Sequence, residues 1–483
     1  MTMASSPTPH TAGKGRAGKD RLPLKSIIGY GAGDAANNLA FTTTSMFLLV
    51  YFTDVAGIPA LAAGTLFLVV RLFDAFSDLI AGRLVDRTNT RRWGKFRPFI
   101  LFGSAPLMIL TFLNFNIPQI GAGGKLAYAY IAYAALGLAY SLVNIPYGSM
   151  ASAMTQRPAE RAKLASARTV GALLVSTALG IFVAPLLKAG TSLQPVFTTL
   201  TIVFMVIGVA LYLLTFFTTR ENVPRDVPKV TFRQSMQTLK GNKPLLMLCI
   251  SSLLYLSGLL SLSTVQVYYF RDALHSLSLV PVLSIAQLVV TLVLSAAAPA
   301  MVSKFGKRAI YIAFVAVGVI GGLMVMFTPT TLVWIAFLSF VIAVGGMSGV
   351  GIVVWAVEAD TVEYGEWKTG IRSEGIIYSL FSFTRKTGQA VGGALAGYAL
   401  AWGGYDGHAA AQSAQAVTGI QIAAGLIPAV LGAGAGAIMF FYEITDERHA
   451  KIVDELHARH EQAGAGLGAD AETVATLSQP DDA

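Results

Sequence analysis

The sequence predicts an all-α membrane protein of twelve transmembrane helices in two pseudo-symmetric six-helix bundles. Three observations carry that prediction. Hydrophobic residues make up 54% of the 483 residues and charged residues only 13%, against ~25% charged in soluble globular domains. Apolar runs recur twelve times, at about 27–53, 58–84, 98–116, 126–149, 164–187, 195–218, 244–270, 276–302, 308–328, 331–357, 375–402 and 415–442. Each is long enough to cross a hydrocarbon layer of ~30 Å at ~1.5 Å per residue. Lys and Arg also segregate. Of the 35, 28 fall on the side of the N-terminus, Lys125, Lys188 and Arg271 on the other, and Arg71, Arg168, Arg385 and Lys386 within helices. That bias places both termini in the cytoplasm. Strand-type alternation is absent, which excludes an outer-membrane barrel.

The same observations divide the chain. Residues 1–26 form a polar, basic tail without the separate apolar core of a cleavable leader. Residues 27–218 make the first bundle, 219–243 a hydrophilic central loop, 244–442 the second bundle, and 443–483 a tail. The tail opens as a short amphipathic helix and then turns Ala/Gly/Asp-rich. The loop RLVDRTNTRRWGKFRP after the second span has a weak echo, KFGKR, in the second half. Asp86, Arg92 and Lys95 in the first of these read as gating or bracing groups. The net charge of +9 is that of loops on one membrane side rather than of a nucleic-acid surface. Cys249 excludes an intrachain disulfide and reads as a small core residue. His449, His457 and His460 read as exposed tail positions rather than ligands, and no metal or cofactor is expected.

Charges inside the membrane point to the function. The first span carries Asp34, Asn37 and Asn38, a polar run dense enough to require a cavity. The second carries Arg71, Asp74 and Asp78, spaced to lie along one helix face. A mid-membrane charge costs ~3 kcal/mol even on lenient scales, so these must pair, hold an ion, or meet internal water. Two carboxylates ~6 Å apart repel by roughly 2.8 kcal/mol at an effective dielectric of ~20. One of them therefore holds a proton near neutral pH, or a cation lies between them. The competing reading is a static brace in which Arg71 neutralises one acid.

Asn144 in SLVNIPYGS lines a site or bonds a neighbouring helix. Arg168 in SARTVG either snorkels to the surface or points inward. Glu358 and Asp360, near the end of the tenth span, are placed to pair with the basic loops. Arg385 and Lys386 lie too deep in the eleventh span to snorkel easily, and Ser382 is assigned to the site with them. Adjacent helix positions diverge by ~100°, so only one of the two cations readily faces a given cavity. That cation can meet an acid of the second span or an anionic cargo. No GxSxG, HExxH, CxxC or Walker A pattern occurs, which argues against an enzyme and against direct drive by ATP.

RLFDAFSDLIAGRLVD followed by RWGKFRP resembles the signature of the glycoside–pentoside–hexuronide:cation symporters, a branch of the major facilitator superfamily. The likeness runs over about residues 25 to 445 and extends to GDAANNLAF, AYSLVNIPYGSMASAMTQ, EADTVEYGEW and YSLFSFTRKTGQA. It is strongest for the bacterial glucuronide carrier branch. The resemblance implies the major facilitator fold, alternating access, and a bacterial inner membrane. In melibiose-carrying members, the positions matching Asp74 and Asp78 serve the cation, and those matching Asn38, Arg168 and Lys386 serve the sugar. Asn38 and Asn144 are amides where those members have carboxylates, and Gly148 replaces a tryptophan.

Fewer acids and an added Arg385 favour a proton as coupling ion, with sodium the other candidate, and a negatively charged sugar as cargo. The expectation is therefore cation-coupled symport of glucuronides or related hexuronides. Asp74 and Asp78 would handle the ion. Asp34, Asn38, Arg71, Asn144, Arg168, Ser382, Arg385 and Lys386 would meet the substrate. A symporter of neutral glycosides or pentosides and a non-transporting membrane sensor are the alternatives.

Overall fold

The computed structural model describes residues 21–221 and 241–459, apart from 89, 91, 156, 189–191, 371–373 and 410. The first tail, most of the central loop, and residues 460–483 with His460 lie outside the described residues. So does the side chain of Asp86.

The long elements are helices: α1 (Leu24–Val50), α2 (Ala60–Arg87), α3 (Arg97–Asn114), α4 (Ala122–Met154), α5 (Pro158–Ala178) and α6 (Leu193–Thr218) in the first half. The second half holds α7 (Lys243–Tyr268), α8 (Leu279–Phe305), α9 (Lys307–Phe327), α10 (Val333–Thr369), α11 (Glu374–Gly403) and α12, from Ala414 to Phe440 through a π turn at Ile422–Leu426. Among the described residues, nine stretches are long and apolar enough to cross a membrane. α1 and α11 fall short of that measure because polar residues interrupt them, Asp34, Asn37 and Asn38 in one, Arg385, Lys386 and Gln389 in the other. α2 contributes the shorter apolar stretch Ala60–Arg71. α10 overruns its expected end at 357 because nothing in ADTVEYGEWKT breaks a helix. It stops at Gly370, whose φ of +71° is the left-handed cap a glycine adopts most easily.

Packing repeats between the halves. α1 packs on α5 and α6, α3 on α4 and α6, and α2 on α4. Six helices later α7 packs on α11 and α12, α9 on α10 and α12, and α8 on α10. The halves meet through α1–α7, α2–α11 and α5–α8, so the seam has the same two-fold character. The side where α1 starts is called near below, and the other side far.

At the near ends each half is fastened within itself. Gly94, at φ +82°, turns the chain into α3. The Glu221 carboxylate there accepts the backbone N–H groups of Lys95, Phe96 and Arg97 at 2.9, 2.8 and 3.1 Å, three donors that a helix N-terminus otherwise leaves open. In the second half Gly306, at φ +83°, precedes Lys307, whose backbone N–H donates to Asp446 at 3.0 Å. A side chain at either glycine would run into the acid. The echo between the two basic loops is thus a repeated acid-on-glycine turn. Arg92 itself is exposed and lies over the Trp93 ring.

At the far ends the first helix of each half finishes in a π turn, Tyr51–Val55 after α1 and Tyr269–Ala273 after α7. These turns aim Asp54 and Arg271 at each other across the seam. Arg271 donates to Asp54 at 2.6 Å, to both oxygens of Asp272 at 2.9 and 2.8 Å, and to the Tyr405 hydroxyl at 2.8 Å. Thr53 and Tyr268 share a hydrogen bond at 2.8 Å. The side chains of Arg271 and Asp54 are each only 4% exposed. Nearby, Gly180 of the π turn that follows α5 abuts Ser284 of α8. Hydrogen bonds cross the seam in its far half and at mid-depth.

The tail helix over residues 446–459 corrects the expectation that His449 is exposed. Ile452 and Leu456 are buried under it, which docks it on the near end of α10. His449 there meets Glu363 and lies 3.3 Å from Asp360. The three side chains are close enough to share an ion. However, the Lys307 ammonium already donates to both Asp360 oxygens at 2.6 and 2.8 Å, so the cluster is satisfied as an ion-pair network. Asp360 therefore pairs with Lys307 of a basic loop. Glu358 is buried and makes no ion pair among the described residues.

Candidate functional site

The site is built on α1, α2, α4, α5 and α11. The spacing of Arg71, Asp74 and Asp78 sets them on one face of α2, and that face looks toward α4 and α11. Arg71 donates to Asp74 Oδ2 at 3.3 Å and lies over the Phe41 ring of α1. Asp74 is 4% exposed, and its Oδ1 is buried without a hydrogen-bond partner among the described residues. Gly137 of α4 makes the space: a Cβ there would collide with that oxygen. Beside the pair lies a cavity of about 30 Å³, lined in part by Thr44, Tyr133, Ser141 and Lys386. That is room for one water or one small ion.

Asp78 is satisfied on both sides. Ser141 donates to its Oδ1 at 2.6 Å, and the Lys386 ammonium of α11 pairs with Oδ2 across the seam. The two acids thus differ, one with an open oxygen and one fully engaged. Of the two adjacent cations, Lys386 faces the acids. Arg385 instead stacks on the Trp355 ring of α10, with its guanidinium carbon 4.6 Å from the ring centroid, and its Nε is buried without a partner among the described residues.

A second polar group lies on α1 and α5. Arg168 points inward. It donates from Nε to Asp34 at 2.9 Å and lies over the Tyr147 ring, which stacks on Tyr30 at 4.7 Å. Asn38 donates to the Asp34 carboxylate at 3.0 Å. Asn37 faces elsewhere and accepts from the Tyr212 hydroxyl at 2.8 Å. Asn144 and Ser382 are half-buried and hydrogen-bond to none of these groups. The Lys95 backbone N–H donates to Glu221. Gly137, Glu221, Asp54 and Arg271 were not predicted. The repeat YFTD at 51–54 and YFRD at 269–272 was the one signal that could have exposed the far-side pair.

Gly137→Ala is a sharp probe of this packing. Overpacking of this kind costs ~1–3 kcal/mol, and here the methyl group must displace the Asp74 carboxylate. The expected result is a folded protein, by thermal melting in detergent, whose transport no longer responds to the ion gradient. Gradient-driven transport at the native level would contradict it.

Buried charges around an ion-sized cavity, within two repeated sets of apolar helices, mark a membrane transporter. Comparison with known proteins agrees. The chain belongs to the family described as MFS/sugar transport protein, which it matches over residues 29–446, and thus to the glycoside–pentoside–hexuronide:cation symporters of the major facilitator superfamily. It is 44% identical over 443 residues to the glucuronide carrier protein homolog of Escherichia coli (strain K12), covering 91% of this chain and 96% of that one. It is 32% identical over 459 residues to the isoprimeverose transporter of Lactiplantibacillus pentosus, covering 92% and 94%. Its fold resembles that of the nucleoside transporter NupG with a TM-score of 0.61 at 13% identity, over 86% of this chain and 100% of that one.

Proposed function

We propose that this protein is a proton-coupled symporter that brings glucuronides or related hexuronides into a bacterial cell across the inner membrane. Both termini would lie in the cytoplasm, with residues 27–218 and 244–442 rocking as two bundles about the site. Asp74 carries the proton. Its buried Oδ1 lacks a donor among the described residues, an arrangement that costs ~1–3 kcal/mol or more for a charged group and that a proton relieves. A bare sodium ion needs a shell of several oxygens, and only one carboxylate oxygen is open there.

Asp78 and Lys386 form the cross-seam pair whose strength depends on the charge at Asp74. Asn38, Asn144 and Ser382 are hydroxyl-binding groups, with Arg168 held in place by Asp34. Of the bracing groups expected at the near ends, Asp360 keeps that role through its pair with Lys307.

The observation that carries the anionic cargo is Arg385, a deep cation with no acid partner among the described residues. Arg385→Ala leaves no acid stranded, so its effect reports cargo charge directly. A charge-assisted hydrogen bond contributes ~1.5–3 kcal/mol, so KM for phenyl glucuronide is expected to rise roughly 10- to 100-fold, while KM for phenyl glucoside stays near its native value. Equal losses for both sugars would favour the second reading, a symporter of a neutral glycoside or pentoside, which the likeness to an isoprimeverose transporter supports. The defining experiment is uptake of labelled glucuronide into proteoliposomes with and without an imposed proton gradient. Equilibration without accumulation would remove the symport reading.

A further inference from the structure

The tail helix over residues 446–459 carries a titratable residue in its apolar stripe. His449, Ile452, Val453 and Leu456 are spaced i, i+3, i+4, i+7 and so share one face. Ile452 and Leu456 are buried and His449 and Val453 half-buried, while Lys451, Asp454, Glu455 and His457 are exposed. Thr445 starts the helix, its hydroxyl accepting the Arg448 backbone N–H at 3.3 Å. The fold thus presses an imidazole against the near end of α10, where packing alone asks for an apolar side chain. There it meets a set of charges. From α10, Glu363 meets Nε2 and Asp360 lies 3.3 Å away. From α9, the Lys307 ammonium holds Asp360, while Arg308 turns to the Phe440 carbonyl. Just past α12, the Tyr442 hydroxyl is buried within electrostatic reach of Asp360, without a hydrogen-bond partner among the described residues. In the tail itself, Asp446 is taken by the Lys307 backbone N–H and Arg448 by Glu443 at 3.3 Å. An imidazolium and Lys307 together balance Asp360 and Glu363. A neutral imidazole leaves one of those acids unbalanced at a partly buried junction.

We propose that the tail helix is a proton-set latch: with His449 charged it clamps the near end of α10, and with His449 neutral it lets go. Imidazole is the side chain that ordinarily changes charge between about pH 5 and 8, so near-side pH sets the latch. Docking is present on the acid side of that range and is lost as pH rises through it. The remaining hold is light. A helix of ~12–15 residues is marginal by itself in water, and two buried aliphatic side chains anchor this one. Two further bonds are exposed: the Trp367 indole N–H donates to Glu455 at 2.6 Å, and Arg459 donates to the Trp367 carbonyl at 2.8 Å. A contact between charged groups changes an equilibrium about 10- to 100-fold, which is enough to decide docking here. The clamped segment matters to movement. Asn242, at the start of α7, donates to the Thr361 carbonyl at 2.7 Å, so the tail, α7 and α9 all grip the same few turns of α10, and α10 leads on to α11 and Lys386. Clamping slows the rocking of this half and release frees it. The latch does not depend on what the protein carries. With a proton as coupling ion, as proposed above, import acidifies the near side and sets its own brake.

The test is hydrogen exchange of residues 446–459 in the purified full-length protein at about pH 6 and about pH 8.5, on either side of the imidazole range, with each rate referred to the intrinsic rate at that pH. Protection in the parent is expected to fall about tenfold or more at the higher pH. His449→Arg, charged throughout, should stay protected at both, and His449→Gln should be weakly protected at both. Equal protection of the parent at the two pH values, or a pH response that survives in His449→Gln, overturns the latch. No transport enters this measurement, so a failure of the proposed cargo or coupling ion leaves its outcome intact. Uptake with the near side at about pH 8 is expected to be slower in His449→Arg than in the parent, and equal rates there would overturn the brake.

Discussion

Asp74→Asn is expected to abolish accumulation while leaving downhill exchange of sugar in place. A membrane potential of ~100 mV supplies ~2.3 kcal/mol for each charge moved, which supports about 50-fold accumulation by a one-proton symporter. The variant should equilibrate its cargo and go no further. The geometry explains why this acid and not its neighbour. Asp78 has both oxygens engaged, by Ser141 and Lys386, so protonating it would break existing contacts. Asp74 has one oxygen bare against Gly137, beside a space for a single water. Asparagine keeps the volume and the contact with Arg71 but takes up no proton, and so fixes the site permanently in its neutral form. Counterflow of labelled glucuronide in proteoliposomes separates this from misfolding, because exchange needs the moving bundles but not the proton. Native accumulation by the variant would refute the role given to Asp74.

The second large effect is expected at the far side. Arg271→Ala leaves Asp54 and Asp272 buried near one another with the Tyr405 hydroxyl between them. Removing one partner of a buried pair costs ~3–5 kcal/mol. Opening the far side relieves that cost by admitting water, so the balance of states should move outward on the order of a hundredfold or more. Labelling of Ser45→Cys by an impermeant maleimide added on the far side should become rapid in the variant and stay slow in the parent. Asp54→Asn added to Arg271→Ala removes one of the stranded charges and should restore slow labelling in part. An unchanged labelling rate in Arg271→Ala would show that the cluster does not hold this side shut.

Much of this architecture was legible in the residues. Twelve apolar runs and the lopsided distribution of Lys and Arg anticipate the helices, and charges stranded in the apolar spans mark Asp34, Arg71, Asp74, Arg168 and Lys386. What escaped has physical causes. Whether Arg385 or Lys386 meets the acids depends on the rotation of α11 about its axis, which packing against α7 and α2 decides. Gly137 is one small residue among 48 glycines, and its role appears only when α2 is laid beside α4. Glu221 and Asp446 act on loops more than a hundred residues away. Arg271 was counted only as one of three basic residues on the far side, although YFTD and YFRD recur 218 residues apart.

The acid-on-glycine turns have a mechanical consequence. Each ties the start of one helix to the chain leaving the last helix of its own half, and neither reaches across to the other half. In the rocking proposed above, such ties would pass torque to the whole of each half instead of letting one helix bend alone. On that reading a displacement of about an ångström at the binding groups would become a wider sweep at the mouth, as a lever lengthens a short stroke.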